Sequence, residues 1–112
     1  MPQGSHGRED LQQSRMEIDA DGRVRLHGPL TFDTCARLYH QMSEHRAGAL
    51  TRIDLSGVTS VDSAGLALLL EWQAGNRDSH RRIEMRGVPR NLLRLARLNG
   101  AIKLLDLTGK EA

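Results

Sequence analysis

From Met16 the chain alternates apolar and polar positions, with Met16 and Ile18 before the turn-forming stretch Asp19-Ala20-Asp21-Gly22 and Val24 and Leu26 after it. A period of two broken by such a turn predicts a β-hairpin. The period then lengthens. In "PLTFDTCARLYHQM", Phe32, Cys35, Ala36, Tyr39 and Met42 fall on one face of a helix, with Thr31 as N-cap and Asp33 close to the positive end of the helix dipole. "TRIDLSG" predicts a short strand, "SAGLALLLEWQAGNRD" a helix, "RRIEMRG" a strand, and "PRNLLRLARLNG" a helix opened by Pro89 and closed by Gly100. The closing "AIKLLDL" fits either a short strand or a last helical turn. The resulting order is β-β-α-β-α-β-α, an alternation that predicts an α/β domain whose sheet contains parallel strands with helices packed on it. Residues 1–14 show no hydrophobic period and many polar positions, so they read as a loose tail ahead of a domain spanning residues 15–112.

The helix that follows Asp62 carries two apolar sets. Leu66, Leu69, Leu70 and Gln73 lie together, while Leu68 and Trp72, four residues apart, lie on a different side. If the first set is core, Leu68 and Trp72 form an exposed apolar pair suited to anchor a partner. The other arrangement makes Trp72 core and turns another stripe to water. On the last long helix, Arg90, Arg94 and Arg97 make one stripe opposite Leu92, Leu95 and Ala96. A solvated face is the ordinary role of such a stripe, and contact with an acidic protein surface or an anionic inner leaflet is the functional one.

Composition narrows the function classes. With 112 residues there is room for one domain and one modest core. The longest unbroken apolar run, Leu66–Leu70, is far too short to span a bilayer, and no signal-peptide pattern opens the chain, so a cytosolic location is expected. A single cysteine, Cys35, rules out an internal disulfide and a Cys-cluster metal site, and no metal or cofactor is expected. A formal charge of +2, without aromatics interleaved among the arginines, gives no case for nucleic acid.

Catalysis finds no foothold either. Ser63 lacks the G-x-S-x-G context of a nucleophile elbow, because Val61 stands two residues before it. His6, His27, His40, His45 and His80 follow no motif, and there is no phosphate-binding glycine loop or H-E-x-x-H. Asp62 is a preferred N-cap residue, which makes Ser63 the first helical residue, flanked by free backbone N–H groups. Such a loop can simply start a helix, or can dock a partner's acidic group or carbonyl.

The run "IDLSGVTSVDSAGLALLLEW" resembles the signature of the STAS domain (sulfate transporter and anti-sigma antagonist). The positions that carry the likeness are Asp54, Leu55, Ser56, Val58, Val61, Asp62, Ser63, Gly65, Leu66 and Leu69. "LHGPLTFDT" and "IEMRGVPRNLLRLARLNG" are similar to the flanking family segments, so the resemblance runs roughly from Met16 to Leu107. It implies the STAS fold, a small mixed sheet of about four to five strands with helices packed against it. "VDSAGLALLL" is most similar to MlaB-type proteins, which are cytosolic, non-catalytic subunits of phospholipid-transport ABC systems that maintain outer-membrane lipid asymmetry. That likeness implies binding to an MlaF-like ATPase subunit in complex with a membrane permease. The protein would then be peripheral at the inner membrane through that complex, without a membrane span of its own. Together with the readings of the Asp62 loop and of the two helices above, the expected contact residues are Asp62, Ser63, Ala64, Gly65, Leu68 and Trp72, with Ser63 as a candidate regulatory hydroxyl and Arg90, Arg94 and Arg97 as a candidate basic contact stripe. In anti-anti-sigma factors, the family's other well-known role, the residue directly before the glycine is a phosphorylated serine. Here that position is Ala64. Anti-anti-sigma action on a kinase-type partner is the first alternative function, and a small-molecule or nucleotide sensor with a tight polar pocket is the second.

Overall fold

The computed structural model describes residues 14–45, 50–76 and 82–105. Strands β1 (Arg15–Ile18) and β2 (Arg23–Leu30) form the expected hairpin, paired antiparallel from Arg15 opposite His27 to Ile18 opposite Val24. Its turn is held by Asp19, whose Oδ1 accepts the N–H groups of Asp21 and Arg23, and Gly22 takes a positive φ of 81°. Helix α1 (Phe32–His45) leads to β3 (Arg52–Val61), α2 (Ser63–Gly75), β4 (Glu84–Arg86), α3 (Arg90–Leu98) and the short α4 (Ile102–Leu105). The last element resolves the closing apolar segment as a helical turn. In the sheet, ordered β1-β2-β3-β4, β3 runs parallel to both neighbours. The element order and the mixed four-stranded sheet are those expected from the pattern of the chain.

Helices α1, α2 and α3 pack on one face of the sheet, whose inward positions Met16, Val24, Leu26, Leu30, Ile53, Leu55, Ile83 and Met85 are apolar and nearly fully buried, and α4 packs on α2 and α3. The other face is lined by charge. Arg25 lies 3.7 Å from Glu17, Arg52 3.1 Å from Glu84, and Arg86 2.8 Å from the same carboxylate. A hollow of about 420 Å³ on that face, bounded by Glu17, Asp19, Arg23, Arg25, Arg52 and Asp54, is walled by residues that already have partners: Arg23 with Asp19, Arg25 with Glu17, Arg52 with Glu84 and Asp54 with Ser56. Two side-chain amides of α2 bracket the core: Asn76 exchanges both hydrogen bonds with the backbone of Leu50, and Gln73 does so with Ile83 while also donating to Leu105 O. These bonds satisfy backbone groups that the sheet leaves open at the entrances to β3 and β4.

Helix α1 is rotated from the expected orientation. The buried positions are Thr34, Leu38 and Met42, with Cys35 half-buried, whereas Phe32 is 78% exposed, Tyr39 46% exposed, and Ala36 faces solvent. The reason lies at the start of the helix. The Thr34 hydroxyl accepts the Thr31 N–H at 3.1 Å and donates to Pro29 O at 2.9 Å, so a polar residue can take an inward position and Leu38 and Met42 follow it at steps of four. Thr31 does stand at the cap position, with its carbonyl accepting from Cys35.

At the other end of the chain, α3 closes as expected. Gly100 has φ 67°, its N–H donates to Arg97 O, and Ala101 N–H donates to Ala96 O, the paired bonds of a Schellman ending. Of the expected tail, residues 1–13 lie outside the described residues. Ser14 is buried, donates to Pro29 O and accepts from Arg37, so the packed structure already includes it.

Candidate functional site

Parallel strands β2, β3 and β4 deliver their following helices toward the same end of the sheet, where the ends of open α/β sheets commonly present their functional loops. The loop Val61-Asp62-Ser63 is built around one carboxylate. Asp62 Oδ1 accepts the N–H groups of Ala64 at 2.9 Å and Gly65 at 3.1 Å, capping α2, and Oδ2 accepts the N–H of Phe32 at 3.0 Å, at the start of α1. One side chain therefore satisfies donors from two helix N-termini and ties them together. Asp62 N–H also donates to Leu30 O at 3.3 Å. On the neighbouring side, Asn91 of α3 donates to Val61 O at 2.9 Å, which anchors the third helix to the end of β3.

Gly65 explains why a glycine stands third after the capping aspartate. A Cβ there would lie 2.2 Å from Leu30 O, so the first turn of α2 sits directly on the end of β2. Ala64 is half-buried, and Ser63 is exposed with its hydroxyl making no hydrogen bond to any described residue. Phe32, whose N–H is held by the adjacent Asp62, is exposed as well. The outward-facing groups at this end are thus a free hydroxyl and an exposed ring on a frame in which Asp62 binds the N–H groups of Phe32, Ala64 and Gly65.

Of the contact residues expected from the sequence, the structure brings Asp62, Ser63, Ala64 and Gly65 together at this end. Leu68 and Trp72 are not part of that surface: each is only 6% exposed. The expectation that the two apolar sets on α2 compete for one stripe fails, because α2 packs against β3, α1, α3 and α4 at once. At ~100° per residue, the buried Leu68, Trp72, Gly65, Leu69 and Leu66 share a single arc of roughly 160°, and the solvent strip runs through Ala67, Glu71 and Ala74. Leu70 flanks that arc and Gln73 falls within it, both half-buried. Trp72 fills the space between α1 and α2, beside Tyr39, Met42, Leu50 and Asn76, around a small cavity of about 100 Å³. The exposed ring expected on α2 stands instead on α1, as Phe32. The pattern that could have shown it is Thr34, Leu38 and Met42 at i, i+4 and i+8, which leaves Phe32 off the buried line.

Two titrating groups border the parallel strands. Burial, followed by the nearby Asp62 carboxylate, pushes the Cys35 thiol up to about 11. On the open sheet face, burial alone would raise the Asp54 carboxyl, but hydrogen bonds from the Ser56 N–H at 2.9 Å and hydroxyl at 2.7 Å, with the charges of Arg25 and His27, outweigh it and hold it below its usual range. Arg90, Arg94 and Arg97 are all exposed on α3, as their spacing predicts. Among the described residues no group of three or more His, Cys, Asp or Glu side chains is placed to hold a metal ion, and no helix is long and apolar enough to cross a membrane.

Comparison with known proteins places this architecture. The structure is similar to that of the anti-sigma factor antagonist SpoIIAA in its unphosphorylated form, with TM-score 0.60 and 17% identity over 76% of this chain and 82% of that one. A sulfate transporter family protein from Wolinella succinogenes aligns with TM-score 0.61 and 18% identity over 84% of each chain. The murine anion transporter Slc26a9, in its inward-facing state, aligns with TM-score 0.59 and 14% identity over 77% of this chain and 16% of that much longer one. At such identities these likenesses speak for the fold alone. No curated protein matches the chain. A family model described as "Mlab, STAS domain" matches residues 14–106, a span that takes in both strand-to-helix junctions joined by Asp62 and the glycine seated on β2; the chain belongs to that STAS domain family.

Proposed function

We propose that this STAS domain is a non-catalytic subunit that binds the ATPase of an Mla-like ABC phospholipid transporter, regulating or stabilising it on the cytoplasmic side of the inner membrane. The observation that carries the reading is Ala64. Within a family match described as Mlab, a residue without a hydroxyl occupies the position before Gly65, where the resemblance to anti-anti-sigma factors places the phosphoacceptor. The loop geometry is in keeping with a constitutive docking surface. Asp62 is consumed by three backbone N–H groups and holds the loop, while Ser63 and Phe32 project from it. A preorganised, exposed aromatic beside a small polar residue is the composition of an interface anchor.

The deciding experiment is reconstitution with an MlaF-like ATPase, followed by affinity and ATP turnover with and without this chain. A complex is expected, weakened at least tenfold by Phe32→Ala and by the bulky Ser63→Arg, with melting temperatures unchanged because both positions are exposed. Absence of a complex with the ATPase, together with tight binding to a kinase-type anti-sigma factor and stoichiometric phosphate on Ser63, would replace this reading by the anti-anti-sigma one. A phosphate on Ser63 would be physically comfortable at a helix N-terminus, so its absence from protein isolated from cells is an informative result.

A further inference from the structure

The segment from Gly87 to Leu105 contains no aspartate or glutamate, and it carries Arg90, Arg94, Arg97 and Lys103. Since the whole chain has a formal charge of only +2, these four cations leave the remainder net acidic. The net positive charge of the chain therefore comes from this segment.

Their placement on the fold is specific. On α3 the buried residues are Leu92 and Ala96, both 0% exposed. With ~100° per residue, Arg90, Arg94 and Arg97 point to the opposite side within a spread of about 60°, and Leu98 follows beside Arg94. Leu98 is 75% exposed. After the Gly100 turn, Lys103 and Leu104 are exposed as well, Leu104 by 60%. None of the three arginines makes a hydrogen bond or ion pair with a described residue. This contrasts with Arg23, Arg25, Arg52 and Arg86 on the sheet, each paired with a carboxylate.

We propose that this face of α3, with the exposed Lys103 and Leu104 of the adjoining helical turn, rests directly on an anionic phospholipid surface. Three properties select a lipid surface over an acidic protein. A planar array of phosphates offers one sign of charge without relief, which suits a segment lacking acids altogether, whereas protein interfaces set their register by mixing signs. Guanidinium groups pair with phosphates in bidentate fashion and are weakly hydrated, so arginine is the fitting cation. Leu98 and Leu104 would be costly against a purely acidic surface, but beside a headgroup layer they enter the acyl boundary while the arginines stay with the phosphates. The contact is modest by design: each cation near an anionic leaflet contributes about a fivefold factor in partitioning, so the stripe supports a reversible, salt-sensitive attachment. The inference does not depend on the ATPase partner, since it concerns this chain and lipid alone.

The test is co-sedimentation of the full chain with vesicles of neutral phosphatidylcholine and with vesicles in which about one-third of the lipid is phosphatidylglycerol, at low and high salt. Binding to the anionic vesicles, weak binding to the neutral ones, and release at high salt are expected. The variant Arg90→Gln/Arg94→Gln/Arg97→Gln should lose on the order of 100-fold in partition coefficient, and Leu98→Ser should lose several-fold at unchanged charge. Arg25→Gln, on the open sheet face, is the control expected to bind like the parent. Circular dichroism melting verifies that the variants are folded, and the single Arg94→Gln serves should the triple variant fail that check. Equal binding to both vesicle types, no binding to either, or full binding by a folded stripe variant overturns the proposal. If vesicles are ignored but the stripe variant weakens a complex with the ATPase, the stripe is a protein contact: the lipid proposal then fails while the proposed function stands.

Discussion

Replacing Gly65 by alanine adds a single methyl group where the first turn of α2 meets the end of β2. The new Cβ would sit 2.2 Å from Leu30 O and 3.1 Å from Leu30 C, both backbone atoms of a central strand that cannot swing aside. The first turn of α2 must then retreat by about 1 Å to restore an ordinary contact distance. Overpacking of this kind costs about 1–3 kcal/mol. The retreat also stretches the Asp62 N–H to Leu30 O bond, now 3.3 Å, and the Phe32 N–H to Asp62 bond, now 3.0 Å; each contributes about 0.5–1.5 kcal/mol. Alanine's better helix propensity returns about 1 kcal/mol. A net destabilisation of about 3 kcal/mol follows, which for a domain of this size lowers the melting temperature by roughly 10–20 °C. Gly75, in the last turn of the same helix, is the internal control, because a Cβ there meets nothing within 4 Å. Gly75→Ala should be neutral or slightly stabilising. Thermal and urea denaturation of both variants, followed by circular dichroism, supplies the comparison. A Gly65→Ala protein melting within a few degrees of the parent would refute the claim that α2 is seated on the end of β2.

Trp72→Ala should destabilise by about 3–5 kcal/mol in urea denaturation, as expected for a large side chain lost from between two helices; a stable, folded Trp72→Ala protein would contradict its burial. Asp62→Ala removes an acceptor of three N–H groups and should cost about 2 kcal/mol or more, whereas Ser63→Ala should leave the melting temperature unchanged. Asp54 has a folded-state pKa below its unfolded value, so its contribution is present above the ordinary carboxylate range and is lost as pH falls through the lowered value; Asp54→Asn should flatten the acid limb of a stability-versus-pH curve below about pH 4. Cys35, with its thiol pushed up to about 11, should be alkylated far more slowly at pH 8 in the folded protein than after unfolding.

Local chemistry was legible in the sequence. The hairpin, the helix stop at Gly100, the alternation that demands parallel strands, and Asp62 as a cap all depend on residues within a few positions of one another, and the structure carries each of them. The arginine stripe was legible for the same reason, since three like charges at helical spacing opposite Leu92 and Ala96 have only one way to face. What the sequence could not decide was how many neighbours each helix has. Leu68 and Trp72 looked like surplus apolar surface because a lone helix on a sheet buries one narrow stripe; flanked by α1 on one side and by α3 and α4 on the other, α2 buries a far wider arc. The rotation of α1 was likewise a tertiary outcome. Its sequence offers two nearly equivalent apolar lines, and the hydrogen bonds of Thr34 to Pro29 and Thr31 select the one through Leu38 and Met42, which turns Phe32 outward. The joining of both helix starts by Asp62, across 30 residues of chain, exists only once parallel pairing has brought Leu30 and Val61 side by side.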